Sequence, residues 1–240
     1  MIVLNREVIG SREIEMLFGA DEVGRGCFAG PVVAGCVCFS VEKLRSLRRR
    51  RVRSGWEFGL DGEFVYVNDS KKMTEKQRDL AEVWIRKNSD TWGLGEGSVG
   101  MINRFGIVKA TYSAYRLAIR SAKMRESYRI LWNKTRNARE FMFIDGFAVP
   151  YLNGFRKNSQ QRHITGGDSK YFVIACASVV AKVYRDSLMD DLARHKRFGR
   201  YGWETNKGYG TKFHRDAILD YGLTKHHRRQ FVRSTLSHIG

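Results

Sequence analysis

Four acidic residues stand where a carboxylate can do chemistry rather than only solubilise. Asp21 and Glu22 follow the apolar run IEMLFGA, Asp145 ends the apolar run FMFI, and Asp168 follows Gly166-Gly167 ahead of a helical pattern. Singly, each has an ordinary reading. Asp145-Gly146 is a turn, Asp168 is a helix cap, and Asp21 and Glu22 face solvent before a loop. Together they suggest a cation site. Carboxylates gathered near a phosphate are costly unless a cation lies between them. Two Mg²⁺ or Mn²⁺ ions, about 3.5–4 Å apart, meet that need: one activates a water and the other stabilises the leaving oxygen. Hard ions take oxygen ligands, and the chain has no C-x-x-C and no Cys/His zinc spacing.

The charge balance says what such a site acts on. Lys and Arg number 43 against 25 Asp and Glu, a net charge of +18. That disfavours an enzyme for acidic small molecules and favours a polyanion partner. The 240 residues, 42% of them hydrophobic, suit one domain or one domain with a small appendage. No apolar run reaches the roughly 18–20 residues of a membrane helix. The opening MIVLNREVIG lacks the apolar segment and cleavage site of a secretory signal. The expectation is a cytoplasmic protein. Its four cysteines, Cys27, Cys36, Cys38 and Cys176, then read as reduced core thiols, with Cys36 and Cys38 on one strand face.

The elements that position the acids follow from periodicity. Residues 14–20 read as a strand leading into Asp21-Glu22, a glycine-rich turn spans 24–31, and Val32 to Ser40 read as a buried strand pairing back antiparallel. Residues 41–53, VEKLRSLRRRRVR, hold seven basic side chains and one acid. They read as a mobile insertion, either a solvated loop or helix face, or an added phosphate-binding arm. The loop continues through Gly55 to Gly62, and Phe64 to Val67 resume a strand. Thr74-x-x-Gln77 signals a capping box before a helix over 75–88, with Leu80, Val83, Trp84 and Lys87 at helical spacing. A short strand at 91–95 precedes a long helix over 107–132, with Ala110, Ala114, Leu117, Ala118 and Ser121 on one side. Residues 141–144 form a strand ending at Asp145, residues 169–194 another helix, and the tail from 211 a helix stopped at Gly222. Strands first, then alternating helices and strands, imply a mixed α/β sheet with a helical C-terminal piece.

With those residues in view, the chain resembles the prokaryotic type 2 ribonucleases H, the ribonuclease HII family. The resemblance runs in order through GADEVGRGCFAGPVVAG at 19–35, NDSKKMTEKQR at 68–78, IDG at 144–146, GDSKYFVIACASVVAKVYRDSLM at 167–189 and NKGYGTKFH at 206–214, with a weaker match at HHRRQF. It implies a ribonuclease H-like fold: a five-stranded mixed sheet flanked by helices, with a small C-terminal helical extension. Residues 1–200 would form the catalytic domain, with 41–65 a basic insertion, and 201–240 the extension. It implies a two-metal endoribonuclease that cuts on the 5′ side of ribonucleotides in RNA–DNA hybrids and of single ribonucleotides in duplex DNA, leaving 3′-hydroxyl and 5′-phosphate ends. Asp21, Glu22, Asp145 and Asp168 would be its catalytic carboxylates and metal ligands. Ribonucleotide removal and primer processing would be its roles.

Telling RNA from DNA at one nucleotide depends on a single 2′-hydroxyl. Gly24-Arg25-Gly26 can bring backbone groups close to a ribose, because glycine lacks a Cβ. By the resemblance these residues and Tyr209 read the 2′-hydroxyl and the RNA–DNA junction. Asn68, Ser70 and Lys71 match phosphate-contacting loop residues. Ser178, Lys182 and Arg185 fall on one helix face as further phosphate contacts, with a salt-bridged helix face as the competing reading. His214 is expected to be structural. The chain departs from the family at Cys27 and Phe28, in the Arg-rich segment, and at His227-Arg228-Arg229-Gln230-Phe231. The ending RSTLSHIG does not look like a sliding-clamp peptide, and a monomer is expected. Two rival readings stay open. One is a transposase- or resolvase-type DNA nuclease of the same fold. The other is a non-catalytic nucleic-acid-binding module.

Overall fold

A computed structural model describes residues 14–53, 56–135, 138–152, 155 and 160–236. Five strands form the main sheet. β1 (Met16–Val23) pairs antiparallel with β2 (Val32–Ser40), which also pairs antiparallel with a later strand at Thr91–Gly97. Between β2 and that strand the chain builds a second, three-stranded sheet: β3 (Arg48–Arg51), β4 (Trp56–Leu60) and β5 (Glu63–Tyr66), in sequential order. The later strand is therefore β6. β7 (Glu140–Asp145) lies parallel to β1 on its other side, and β8 (Gln161–Ile164) lies parallel to β7, giving the order β6-β2-β1-β7-β8.

Both faces of this sheet are covered, so its central strands read as nearly continuous apolar runs. The two-residue period of β1 sorts them. Leu17 packs with Val37, Phe39 and Phe143 under the long helix Phe172–Arg194. Met16, Phe18 and Ala20 pack with Cys36 and Cys38 under the helix Ile107–Met124. The covering helices come very close. A Cβ on Gly19 would lie 2.2 Å from the Val173 backbone, and one on Gly95 would lie 2.2 Å from the Ala114 carbonyl. The shared face of Cys36 and Cys38 is as expected, and all four cysteines are free and buried. Burial pushes the Cys36 thiol up to about 12, which leaves it inert.

Several expectations are corrected. β1 does not stop at residue 20 but runs through Asp21 and Glu22 to Val23. Within the basic segment 41–53, Val41–Ser46 is a helix, as one of its readings expected, but Arg48–Arg51 is a strand, β3. Within the expected loop 55–62, Trp56–Leu60 is β4. Leu44, Leu47, Phe58 and Val65 anchor this added unit in the main core. The helix Glu75–Asn88 has its capping box, Thr74 with Gln77. Its buried stripe, however, is Ala81, Trp84 and Ile85, while Leu80 and Val83 face solvent. The long helix over 107–132 breaks at Arg125, which takes an extended conformation and lays its guanidinium on Trp92. Leu117 faces out, and Tyr115 takes the buried side instead. The 169–194 helix starts at Phe172, because residues 167–169 form a separate tight turn. β8 went unseen because QRHI, at the sheet edge, carries no apolar alternation.

The C-terminal piece contributes the helices Trp203–Asn206, Lys212–Tyr221 and Arg229–Leu236. Its apolar residues share a core with Phe28, Ala29 and Met189. Among the described residues no helix is long and apolar enough to cross a membrane.

Candidate active site

Asp21 and Glu22 are neighbours on one strand, so their side chains leave opposite faces of the sheet. Each meets a hydroxyl from the helix covering its face. The Ser178 hydroxyl of the helix Phe172–Arg194 lies close enough to Asp21 to favour its ionised form. Glu22 accepts a short hydrogen bond from Tyr115 of the helix Ile107–Met124. Arg25 Nη1 approaches the other Glu22 oxygen at 3.4 Å. Burial raises the Asp21 carboxyl well above its usual range, and Glu22, Asp145 and Asp168 push it the same way. Glu22 is raised for the same first reason, with Tyr115 and Arg25 opposing.

Asp145 ends β7, beside β1, and accepts a hydrogen bond from the Gly167 backbone. That bond ties β7 to the turn carrying Asp168, whose preceding Gly166 has a left-handed φ of 64°. Burial raises Asp168, followed by Asp69 and Asp145. All four expected carboxylates thus belong to one electrostatic group. By donor type they suit a hard divalent cation: oxygen ligands only, Asp21 and Asp168 buried and Glu22 and Asp145 half-buried, in mutual repulsion that such a cation relieves. Among the described residues, no three acidic, histidine or cysteine side chains are already gathered into a cage.

A cavity of about 600 Å³ opens over Asp21 and Glu22. Gly24, Arg25, Gly26, Ser70, Lys71, Ser178, Lys182 and Tyr209 all line it. Asp145 and Asp168 do not line it and act on it through charge. Gly24 has a φ of +88°, and a Cβ there would strike Arg185. A Cβ on Gly26 would meet nothing within 4 Å, so the fold itself does not demand glycine there. Ser70 and Ser178 are buried and hydrogen-bonded to each other at 3.0 Å. Lys182 is ion-paired with Asp186 at 2.8 Å, as the competing salt-bridge reading expected.

Two of the expected phosphate contacts are engaged elsewhere in the structure. Arg185 is fully buried, and its guanidinium donates to the carbonyls of Ala29, Pro31 and Lys207. It lies on the expected helix face, but the C-terminal piece covers that part of the helix. Asn68 is not among the lining residues; its amide donates to the Tyr66 hydroxyl at 2.9 Å. Sequence reasoning missed Arg78, which lines the cavity and donates to the Ser70 and Met73 carbonyls. It also missed Tyr115, hidden as one more core aromatic, and Asp69, hidden in a loop of mixed charge.

The departures at Cys27 and Phe28 pack against Tyr209 and its neighbour. Cys27 hydrogen-bonds Tyr209, and the Phe28 ring lies where a Cβ on Gly210 would fall. Burial and then Cys27 push the Tyr209 phenol up to about 12. His214 is buried and structural. Its Nδ1 donates to the Tyr209 carbonyl at 2.9 Å, so its Nε2 is free to accept from Trp203 Nε1 at 3.0 Å and from His227 Nε2 at 3.1 Å. His227 Nδ1 accepts from the Thr224 backbone at 2.9 Å. Both rings are therefore neutral, each in one tautomer. Burial lowers both, His227 to about 3, with His214 and His226 adding to it. A histidine depressed in the fold costs stability as pH falls below its unfolded value of about 6.5. Melting temperature should therefore drop on acidification below that pH. A His227→Gln variant, less stable at neutral pH, should lose less over the same interval. Parallel curves for the two proteins would remove this assignment.

Sheet order and flanking helices, with Asp21 and Glu22 on β1 beside the Asp145 end of β7, define a ribonuclease H-like α/β fold. The family model for ribonuclease HII matches residues 63–237. Ribonuclease HII of Pelagibacter ubique is 34% identical over 91% of this chain and 96% of its own length. That of Thermosynechococcus vestitus is 37% identical over 91% and 84%. Among solved structures, ribonuclease H2 of Pyrococcus horikoshii superposes with a TM-score of 0.65 at 19% identity, covering 93% of this chain and 98% of that one. Bst ribonuclease HIII, solved in complex with Mn²⁺, gives 0.59 at 14% identity, covering 96% and 72%. This chain belongs to the ribonuclease HII family. It is accordingly an endoribonuclease of the ribonuclease H type.

Proposed function

We propose that the protein hydrolyses the phosphodiester on the 5′ side of ribonucleotides, in RNA–DNA hybrids and at single ribonucleotides within duplex DNA, leaving 3′-hydroxyl and 5′-phosphate ends. The observation that carries this is the pairing of Asp21 and Glu22 on opposite faces of β1, beside a cavity that also holds Gly24-Arg25-Gly26 and Tyr209. Asp21, Glu22, Asp145 and Asp168 would hold two Mg²⁺ or Mn²⁺ ions. Bound there, the ions would supply an activated water and neutralise charge on the scissile phosphate. Ser178 and Tyr115 orient the first two carboxylates. The Gly24-Arg25-Gly26 backbone presents groups to the 2′-hydroxyl, and the open space at Gly26 supports that approach. Lys71, Arg78 and Lys182 supply positive charge along the cavity wall. Residues 1–200 act as the catalytic unit, and 201–240 bring Tyr209 to the substrate. In the cell we assign it, as a cytoplasmic monomer, to ribonucleotide removal and primer processing.

The deciding experiment offers all-DNA, single-ribonucleotide and RNA–DNA duplexes, with Mg²⁺, with Mn²⁺ and with chelator. Metal-dependent cutting 5′ of the single ribonucleotide is expected. Cutting of all-DNA would instead support the transposase or resolvase reading. Binding without any cutting would leave a nucleic-acid-binding module.

Tyr209 is 40% exposed into the cavity and keeps its hydroxyl near the reading loop. Tyr209→Phe retains the ring for stacking and removes one hydrogen bond, a loss of about tenfold. The loss in kcat/KM should fall on the single-ribonucleotide duplex more than on the long hybrid. Equal losses on both would end the junction-reading role.

A further inference from the structure

The three-stranded sheet β3-β4-β5 lies outside the cavity and is not needed to build it. We propose that its arginine strand is a second contact surface for the phosphate backbone of the same duplex. This rests on the nucleic-acid reading above. Arg48, Arg49, Arg50 and Arg51 are consecutive on an edge strand, and all four are exposed. Such a run repels itself unless a polyanion lies against it. Acids nearby neutralise only one of the four. Glu57 pairs with Arg50 at 2.5 Å, Glu63 pairs with Lys87 at 2.5 Å and Asp90 pairs with Lys43 at 2.9 Å. Arg48, Arg49 and Arg51 have no carboxylate partner among the described residues. A basic edge also guards against strand-to-strand aggregation, but that explains neither the unbroken run nor the rings beneath it. The Arg49 guanidinium stacks on Trp56 at 4.6 Å and that of Arg50 on Phe64 at 4.3 Å. Stacking holds these heads in place and lowers the ordering cost of a contact.

Register connects this surface to the site. Arg50 lies opposite Glu57, which lies opposite Tyr66; Arg48 lies opposite Gly59, which lies opposite Phe64. These residues share one face of the small sheet, while Arg49, opposite Phe58, and Arg51, opposite Trp56, leave its other face along the same exposed edge. Two inter-strand spacings, about 10 Å, separate Arg50 from Tyr66. The Tyr66 hydroxyl holds Asn68, and the same loop goes on to Ser70 and Lys71 on the cavity wall. The loop that carries Lys71 is therefore held against the sheet whose edge is the arginine strand. Arginines two apart on a strand project about 6.7 Å from each other. That is close to two rises along a nucleic-acid strand carrying one charge per about 3.4 Å. Continuity with the cavity selects the phosphate backbone of its duplex over an acidic peptide.

The test replaces Arg48, Arg49 and Arg51 with Gln and leaves the Arg50–Glu57 pair alone. A matching triple Lys variant keeps the charge. Binding is measured without divalent metal on all-DNA duplexes of about 10 and about 30 base pairs, one and three helical turns. Each phosphate contact contributes about 0.9 to the salt slope, so the Gln variant should lose between about 0.9 (Arg48 alone) and about 2.7 (all three) on the longer duplex. From about 50 to about 200 mM salt, its deficit against the parent should then shrink by between about 3.5-fold and about 40-fold. The shorter duplex should show a smaller deficit, and the Lys variant should keep the parental slope. An unchanged slope, or the same deficit at both lengths, would overturn the proposal. Cleavage of ribonucleotide-containing duplex is followed in parallel. If the parent binds with the expected slope but cuts nothing, the proposed function fails and the surface stands. If it cuts and the slope does not move, only the surface fails.

Discussion

Asp21→Asn is expected to lower cleavage by about 10³-fold or more, to leave duplex binding in place, and to raise the melting temperature. The loss follows from the proposed role. A ligand that anchors charge neutralisation at the scissile phosphate contributes several kcal/mol to the transition state alone. The gain follows from the structure. Asp21 is buried, and three other carboxylates raise its pKa along with desolvation. An amide of the same shape removes that repulsion and keeps an acceptor for Ser178. The measurements are single-turnover cleavage, duplex binding in chelator, and a melt of the metal-free protein. Turnover within tenfold of the parent would refute the ligand assignment. A lower melting temperature would show that the carboxylate is a structural acceptor rather than a strained functional group.

Arg228→Met is expected to cost about 2–4 kcal/mol, a drop in Tm of about 10 °C. Arg228 is fully buried, and burial lowers its guanidinium to about 10. Its Nε donates to the Gly30 carbonyl at 2.9 Å and its Nη1 to the Arg25 carbonyl at 2.7 Å. Arg185 holds the Ala29 and Pro31 carbonyls from the other side. Between them the two arginines brace the loop whose Gly24-Arg25-Gly26 faces the cavity. Removing one strands buried carbonyls that no apolar side chain can satisfy. The effect on function should be selective. Well below the melting point, the variant should lose more on single-ribonucleotide duplex than on long hybrid, because the reading loop loosens while the carboxylates stay. A variant as stable as the parent would mean that the carbonyls find other donors.

The carboxylates were legible because their positions follow from chain-local signals: an apolar run that ends, then a turn. Their consequences were not. Period-two geometry gives Asp21 and Glu22 opposite faces, but only the packed structure shows that Ser178 and Tyr115 receive them. Arg185 shows the limit from the other side. Helical spacing placed it correctly beside Ser178 and Lys182. What buries it is a segment beginning some twenty residues later in the chain, and no local pattern reports that. The basic insertion failed for a related reason. Four consecutive arginines carry no hydrophobic period, and β3 exists because β4 pairs with it and Phe58 anchors β4 in the core. β8 likewise depends on its partner β7.

The brace on the reading loop also sets a timetable. Arg228 and Arg25 are 203 residues apart in sequence, and Arg228 and Gly30 are 198 apart. A nascent chain that has emerged as far as residue 200 already holds Asp21, Glu22, Asp145 and Asp168, but neither Tyr209 nor Arg228. Long-range contacts of this kind form late. On the proposed reading, the residues that would hold metal are thus made before those that would discriminate. Selectivity would then wait on residues 209 and 228, some forty and sixty positions after the last of the carboxylates.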